Sequence, residues 1–244
     1  YYAAPTKDGW EKLPRGWENF CKDPENHRLQ TPSGKVEFYS LGLAEHFPDD
    51  DERPVVPHVI LSGTRHQESL LCDRAKDYPF LIVSNHPRWR LHANMDDMPW
   101  TREIPTCKVK GPDGYMYEPV WINPIDAEKK GIESGDVVKV FNDRGWVLGG
   151  AIVTERIRPQ VVYQDHGARL DPIEPGVSDR GGANNLIAPT KTTSQNAAGE
   201  VTSGFLVDIE KVDVFELAKQ YPEAFSRPYH ADEGVDITTW MQEA

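Results

Sequence analysis

The sequence is poor in cysteine, which limits the metal and redox chemistry that it can encode. Its three cysteines, Cys21, Cys72 and Cys107, lie far apart, and no two of them form a Cys-x-x-Cys pair. This spacing excludes a structural zinc site or an iron–sulfur cluster built from cysteines of this chain. The pattern instead predicts three free thiols that are buried in the folded protein.

The sequence also lacks a basic run and a long apolar run. The formal net charge is −12, whereas a nucleic-acid surface needs a stripe of Lys and Arg that neutralises phosphates. No apolar stretch approaches the roughly 20 residues that span a bilayer. We therefore predict no nucleic-acid binding and no membrane insertion. The first residue, Tyr1, predicts a cut or processed start, and the lack of a signal-like segment leaves the compartment open.

What the chain does contain is many turn-forming residues. It has 20 prolines and 19 glycines, and only 38% of its residues are apolar. This composition predicts a β-rich core with long loops rather than a helical bundle. Composition along the chain suggests three parts: a peripheral, inter-domain segment at residues 1–77, a core at residues 78–212, and a tail with one helix at residues 213–244.

Apolar runs of strand length predict most of the elements. In the peripheral segment, a strand is expected at Val36–Leu41 and a short apolar element at residues 55–61. The core should contain a hairpin over residues 136–155, joined by the turn at Asp143–Gly145. Four further strands of the core are expected at 79–85, 119–123, 161–164 and 204–212. One helix is expected in the core at 124–130 and one in the tail at 214–220.

Polar loops that follow the predicted strands carry the candidate functional residues. The Ser84–His92 segment leaves a buried strand and offers hydroxyl, amide, imidazole and guanidinium groups, although a loop of surface ion pairs would look the same. His166 leaves another strand, where a structural histidine is the alternative. Asn184 and Asn185 follow two glycines, and either ligand binding or left-handed turns would explain them. Gln195 and Asn196 lie in the next polar loop.

The segment from Asn123 to Asp126 carries a complete helix-start signal, with Asn at the N-cap, Pro at the first helical position and Asp at the third. Local structure alone can account for all three residues.

Six phrases in one order resemble the C-terminal part of the dimethyl sulfoxide reductase family of molybdopterin enzymes. They are Thr31–Ser40, Ser84–His92, Trp121–Ala127, Gly131–Asp136, Asn142–Gly145 and Gly181–Leu186. The resemblance implies a mainly β fold with short helices, namely a double-psi β-barrel (aspartate-decarboxylase-like) with long loops. It also implies a bis(molybdopterin guanine dinucleotide) cofactor, whose pyrophosphates suit Arg and whose heterocycle edges suit amides and carboxylates.

Within this family, the phrases Met95–Glu103 and Tyr221–Phe225 look most like the large subunit of pyrogallol–phloroglucinol transhydroxylase. The implied parent enzyme moves hydroxyl groups between polyhydroxylated benzenes; a dimethyl sulfoxide, N-oxide or arsenate type of reductase is the alternative. The cofactor-binding residues implied by the resemblance are Ser84, Asn85, His86, Arg88, Arg90, His92, Asn123, Asp126, His166, Asn184, Asn185, Gln195 and Asn196. For Asn123 or Asp126 it implies a contact with the guanine, which competes with the helix-start role for the same oxygens.

The resemblance also implies that some functional groups lie outside this chain. The protein ligand to molybdenum or tungsten is expected in upstream domains of the same polypeptide, so no catalytic residue and no metal ligand is predicted in this chain. An iron–sulfur electron-transfer subunit is a further expected partner. The compartment would be the cytoplasm for a transhydroxylase-like enzyme and the periplasm for a respiratory reductase.

Two other classes of function compete with this interpretation. A free-standing double-psi barrel could act as a protein-binding adaptor, since a fold alone does not fix a function. An adaptor, however, has no need for the polar loops after the strands. An independent hydrolase is disfavoured because the sequence shows no nucleophile with a positioned base.

Overall fold

A computed structural model of the chain divides into two compact units, residues 1–59 and residues 60–244. The structure describes residues 3–7, 9–12, 16–58, 68–96, 98–200, 204–227, 229–230 and 235–236. The apolar element predicted at residues 55–61 therefore falls partly outside the described residues, which resume at residue 68.

The first unit contains a hairpin and two short helices. Strands β1 and β2 pair antiparallel, and helices α1 and α2 follow. Their bounds are Ala3–Thr6, Gly9–Lys12, Gly16–Lys22 and Leu41–His46. The Ser40 side chain caps α2 by accepting from the Leu43 N–H at 3.3 Å.

The strand predicted at Val36–Leu41 is wrong. Residues 36–40 have no regular structure, and Leu41 begins α2. Val36, Phe38 and Tyr39 are exposed, so their alternation has no partner strand and no buried face. A strand needs a neighbouring strand to satisfy its backbone groups. This segment pairs with no strand among the described residues.

The second unit is mainly β. Its strands are β3 Phe80–Val83, β4 Val109–Lys110, β5 Met116–Tyr117, β6 Pro119–Ile122, β7 Val137–Asn142, β8 Gly145–Val153, β9 Val161–Gln164, β10 Pro172–Glu174, β11 Ser178–Asp179, β12 Thr192–Ser194, β13 Ala197–Glu200, β14 Phe205–Lys211, β15 Tyr229–His230 and β16 Val235–Asp236. Its helices are α3 Pro99–Arg102, α4 Pro124–Lys130, α5 Val214–Gln220 and α6 Pro222–Phe225, with 3₁₀ turns at Asp73–Lys76 and Asn184–Leu186.

Six of these strands close into a barrel. They are hydrogen-bonded in the order β8, β6, β9, β3, β14, β7, and β7 pairs back onto β8. β6 runs parallel to β8 and β3 parallel to β9, whereas the other four pairings are antiparallel. This closed arrangement confirms the predicted mainly β fold with a barrel. Closure leaves the six strands without a free edge.

Local signals explain the elements that the sequence predicted correctly. β7 and β8 form the expected hairpin, with Asn142 opposite Gly145. Helix α4 begins after the Asn123 cap and ends at Gly131, whose φ of 65° suits glycine. Helix α5 matches its predicted bounds. The tail differs from the prediction because Pro222 begins a second helix, α6, instead of ending the ordered structure.

The barrel interior is the main hydrophobic core. Inward-facing β-branched residues dominate it, including fully buried Val120, Val140 and Val162. All three cysteines are free, as expected, but only Cys107 is buried and Cys21 is exposed. Among the described residues, no helix is long and apolar enough to cross a bilayer.

Candidate functional site

Two parallel strands end side by side at one end of the barrel. β3 pairs with β9 in parallel register, with Val83 opposite Tyr163. Because parallel strands present their carboxyl ends at the same edge, the residues that follow them are brought together. The His166 backbone N–H donates to the Asn85 carbonyl at 3.2 Å. The Ser84–His92 segment and His166 therefore form one surface.

Three imidazole rings meet on this surface, and we call His86, His92 and His166 the histidine cluster. Ring centroids lie 4.0 Å apart for His86 and His166, 4.7 Å for His86 and His92, and 5.0 Å for His92 and His166. His166 Nε2 lies 3.0 Å from His92 Nδ1, which is hydrogen-bonding distance. His86 and His92 are exposed, and His166 is half-buried.

The electrostatics of the cluster favour a neutral His166. Burial lowers the pKa of His166, and the neighbouring His86 and His92 lower it further. At neutral pH this ring therefore carries one N–H donor and one acceptor nitrogen. The ligand nitrogens of the three rings lie within 4.8 Å of one another. Such a set can bind a flat polar heterocycle or one metal ion.

The backbone that carries the cluster is unusual. His92 has φ 54° and Met95 has φ 69°, a left-handed conformation that is uncommon for residues other than glycine. Gly167 has φ 81°, and a Cβ placed on it would lie 2.6 Å from His92 Cα. The segment after β9 therefore passes so close to His92 that only glycine fits there.

A buried ion network lies beneath the cluster, formed by Arg90, Asp96, Lys108 and Glu118, whose side chains are 0–4% exposed. Arg90 Nη1 and Nη2 donate to the two Glu118 carboxylate oxygens at 3.1 and 2.7 Å. Lys108 Nζ lies 2.9 Å from Asp96 and 2.7 Å from Glu118. Arg90 Nη2 also donates to the His166 carbonyl at 3.0 Å. The Arg90 side chain thus faces the protein interior.

Ser84 and Asn184 also belong to this end of the barrel, although both are buried. Asn184 Nδ2 donates to Ser84 Oγ at 2.8 Å and lies 3.3 Å from the Gln164 carbonyl. The Asn184 amide therefore links the ends of β3 and β9. Neither Asn184 nor Asn185 has a positive φ, so left-handed turns do not explain this pair. The Asn185 side chain is exposed next to its buried neighbour.

The two glycines that precede this pair approach protein rather than open space. A Cβ on Gly182 would lie 2.6 Å from Glu118 Cβ, and a Cβ on Gly181 would overlap the Arg169 carbonyl. The glycines therefore let the loop pack tightly on the barrel, and Asn185 is the amide that the loop leaves exposed.

Asn123 and Asp126 lie at the other end of β9. β6 runs antiparallel to β9, with Ile122 opposite Val162, so Asn123 is near the start of β9 rather than near His166. Asn123 Oδ1 accepts from the Ile125 N–H at 3.0 Å, and its Nδ2 donates to the Ile157 carbonyl at 2.7 Å. Asp126 Oδ2 accepts from the Gln160 N–H at 2.7 Å. The bond from Ile125 matches the helix-start interpretation, and the other two bonds tie the start of α4 to the segment before β9.

The remaining candidates occupy exposed positions. Arg88 is exposed on the same loop as His86 and His92, and Gln195 and Asn196 form the exposed turn between β12 and β13. Of the predicted residues, the structure gathers one set at the joined ends of β3 and β9. That set consists of Ser84, Asn85, His86, Arg90, His92, His166 and Asn184.

Sequence reasoning missed several polar residues beneath this set. Glu118, Gln164 and Asp165 are buried, and the Gln164 side-chain amide has no hydrogen-bonding partner among the described residues. Burial raises the pKa of Asp165 to about 6, and Glu118 adds to this effect, although the Tyr163 hydroxyl opposes it. The signal that could have identified these residues is a charged or amide side chain at the end of an apolar strand.

Comparison with known proteins shows the family of the chain. A family model described as "Molydopterin dinucleotide binding domain" matches residues 80–203, which are 124 of the 244 residues. The chain is 34% identical over 201 residues to dimethyl sulfoxide reductase DmsA of Escherichia coli K12, covering 80% of this chain and 23% of that protein. It is 35% identical over 193 residues to the pyrogallol hydroxytransferase large subunit of Pelobacter acidigallici, covering 76% and 22%.

A solved structure shares the fold. Acetylene hydratase from Pelobacter acetylenicus superimposes with a TM-score of 0.55 at 16% identity, over 78% of this chain and 25% of that chain. This chain therefore spans about a quarter of the length of the proteins that it matches. It belongs to the molybdopterin dinucleotide-binding domains of the dimethyl sulfoxide reductase family, as its six sequence phrases predicted.

Proposed function

We propose that the chain clamps bis(molybdopterin guanine dinucleotide) within a larger molybdoenzyme, and that the histidine cluster meets a pterin of that cofactor. The observation that supports this is the meeting of three imidazoles where β3 and β9 end together. In this proposal residues 78–212 form the clamp, residues 1–77 are peripheral to it, and residues 213–244 form a tail.

The groups at this end of the barrel fit the cofactor chemically. Pterin and guanine edges present N–H donors beside carbonyl acceptors, and neutral imidazoles and amides can serve both. Exposed Asn85 and Asn185 add two such amides. Exposed Arg88 and Arg169 lie on the two segments that carry the cluster, and guanidinium groups suit pyrophosphate oxygens.

The proposed roles of these residues are binding and orientation. When bound, the molybdenum or tungsten centre of the cofactor supplies the redox or group-transfer chemistry, and we expect its protein ligand in domains outside this chain. One N–H of the His92–His166 pair would lie in the hydrogen bond between the two rings. The ring nitrogens outside that bond would contact the heterocycle edge. The guanine contact predicted for Asn123 or Asp126, and the cofactor contacts predicted for Gln195 and Asn196, remain predictions.

Exposed apolar side chains close in sequence to the cluster histidines support burial against other domains. Trp100 is 81% exposed, Leu170 66%, Leu91 58% and Met95 51%. Large apolar side chains that remain exposed can mark sites of contact. We propose that upstream domains of the same polypeptide cover them, and that an iron–sulfur subunit joins the assembly through those domains.

For the parent reaction we propose hydroxyl transfer between polyhydroxylated benzenes. The supporting observation is the 35% identity to a pyrogallol hydroxytransferase large subunit. Reduction of a sulfoxide or N-oxide is the second candidate, because the chain is 34% identical to a dimethyl sulfoxide reductase and 37% identical to a trimethylamine-N-oxide reductase. Assay of the purified holoenzyme for hydroxyl exchange and for sulfoxide reduction with a reduced dye would separate the two.

The clamp itself can be tested in the holoenzyme by replacing single histidines. His86→Ala, His92→Ala and His166→Ala should each lower the amount of guanine nucleotide released from the protein by acid, because each removes a group that binds the heterocycle. His46→Ala, at an exposed histidine of α2, is the matched control and should leave it unchanged. Undiminished nucleotide content in all three cluster variants would contradict the proposal.

A further inference from the structure

The ion network beneath the cluster leads to an inference that rests on the proposed function and extends it. We propose that Arg90 is a positioning residue, which fastens the two histidine-bearing segments to each other and to the barrel. Arg90 lies within the predicted cofactor-binding loop, but in this proposal it acts on the cofactor only through His92 and His166.

The hydrogen bonds of Arg90 support this role. Its Nη1 donates to Asp96 Oδ1 at 3.0 Å and to Glu118 Oε2 at 3.1 Å. Its Nη2 donates to Glu118 Oε1 at 2.7 Å and to the His166 carbonyl at 3.0 Å. One guanidinium therefore joins the loop after β3, the residue before β6, and the segment after β9. Lysine has no planar fork and could not hold all three.

Two further contacts fix the same arrangement. The Arg169 backbone N–H donates to Asp96 Oδ2 at 3.4 Å, so Asp96 joins the two segments a second time. Gly167 packs directly against the His92 backbone. His92 keeps its left-handed conformation, and such a conformation persists only where the surrounding structure determines it.

The burial of the network favours positioning over stabilisation. Taking four charges out of water carries a large desolvation cost, and replacing such a group by apolar residues is often neutral or stabilising. Stability alone therefore does not explain why these charges lie under the cluster. A rigid support for side chains that must match a ligand does explain it, because such sites need geometry fixed by surrounding contacts.

Chemical modification of single histidines can test the proposal in the holoenzyme. Diethyl pyrocarbonate reacts with neutral imidazole, and peptide mass spectrometry reports the rate at each residue. In Arg90→Lys and Arg90→Gln, the rates at His92 and His166 should rise severalfold, because the two rings no longer hold each other. The rate at exposed His46 is the internal reference. Glu118→Gln, which keeps its size and loses its charge, should give a smaller rise and covers the case in which the Arg90 variants do not fold.

A matched buried arginine separates positioning from general loosening. Arg180 is 5% exposed, as is Arg90, and it pairs with Asp113 at 2.9 Å without touching either histidine. Arg180→Lys should lower the thermal unfolding midpoint and leave the rates at His92 and His166 unchanged. If the Arg90 variants behave like Arg180→Lys, with a lower midpoint and unchanged rates, the positioning role is overturned.

The same measurement distinguishes this proposal from the clamp. In the wild-type protein, removal of the cofactor should raise the modification rate at His86 and His92, because the heterocycle no longer covers them. If cofactor removal leaves these rates unchanged, the clamp proposal fails. A rise in the cofactor-free Arg90 variants over cofactor-free wild type would still support the positioning role.

Discussion

At the scale of single residues, Asp165 is a carboxyl whose burial alters its acid–base behaviour within the usual pH range. It is 2% exposed, its carboxylate accepts from the Tyr163 hydroxyl, and it precedes His166 at the end of β9. Burial raises its pKa from 3.8 to about 6. The folded state therefore holds this proton more tightly than the unfolded state does.

We predict that Asp165→Asn removes a pH dependence of the unfolding free energy. Folding raises the pKa of Asp165, so the protonated carboxyl stabilises the folded state. This contribution to the unfolding free energy is fully present below about pH 4 and is lost as the pH rises through about 6. The difference between wild type and variant should change by roughly 3 kcal/mol across this range. An amide oxygen can still accept the Tyr163 hydroxyl.

Urea unfolding of the 244-residue chain at several pH values from about 4 to 8 would measure this change. Asp73→Asn, at a carboxylate whose side chain is 96% exposed, is the control and should give a constant difference. A constant difference for Asp165→Asn as well would show that burial does not control this carboxyl.

The residues of the site were partly predictable from the sequence, and the reason lies in what a local pattern contains. Ser84–His92 stood out because polar groups follow an apolar strand directly. Arg90, in contrast, was expected to face the ligand, and its partners Glu118 and His166 are 28 and 76 residues away. Nothing in one strand reveals which distant charge will lie beneath it, so the network could not be foreseen.

At the scale of helices and strands, local chemistry was enough to predict a helix but not a strand. Helix α4 was predictable because Asn123, Pro124 and Gly131 each satisfy a requirement of a helix end. The strand predicted at Val36–Leu41 was wrong because alternation alone cannot supply a pairing partner. Strand pairing depends on the rest of the chain, whereas a helix satisfies its own backbone groups.

Helix α4 also provides a test of the two interpretations of Asn123. Asn123→Ala should lower the unfolding free energy by about 1 kcal/mol for the lost cap and by a further roughly 0.5–1.5 kcal/mol for the hydrogen bond to Ile157. Asn123→Ser keeps a capping oxygen and loses the donor to Ile157. We therefore expect the serine variant to be the more stable of the two, as measured by urea unfolding.

Cofactor content separates the cap from a guanine contact. If Asn123 serves only as a cap, nucleotide content of the holoenzyme should follow stability in both variants. A loss of nucleotide from Asn123→Ala under conditions where the protein remains fully folded would instead favour direct contact with guanine. Glu128→Ala, at an exposed position of the same helix, is the control for α4.

For the whole molecule, closure of the barrel is the feature that composition and periodicity could not reveal. The strand order β8, β6, β9, β3, β14, β7 joins segments that are distant in the sequence. Only the resemblance to a known family implied it. The same closure brings the ends of β3 and β9 together, so the site is a consequence of topology and not of any one segment.

The C-terminal tail is also held in place by residues that are distant from it in the sequence. Helix α6 packs beside a second, smaller core that includes Tyr115 and Tyr117. The Arg180 guanidinium lies 4.0 Å from the Tyr115 ring centroid and 4.5 Å from that of Phe225. Arg227 Nη2 lies 2.7 Å from Asp171 Oδ1. The tail is therefore fastened to the segment that leads to Asn184.

We predict that Phe225→Ala releases the tail and leaves the barrel intact. The substitution removes one face of the arginine stack, which contributes about 0.5–2 kcal/mol, together with apolar contact in the second core. Brief trypsin digestion of the 244-residue chain should then cut faster after Lys219, as mass spectrometry of the fragments would report. Phe215→Ala, at a side chain that is 53% exposed, should not change this rate.

The effect of Phe225→Ala on the site follows from the same contacts. Asp179 accepts the backbone N–H groups of Asp171 and Ala183 at 2.6 and 2.8 Å, so the segment from Asp171 to Asn184 is tied within itself. Loosening at Arg180 should therefore stop at Asp179 and leave the Asn184–Ser84 hydrogen bond in place. Unchanged diethyl pyrocarbonate reactivity at His166 would confirm this, whereas a rise would mean that the tail supports the site through this segment.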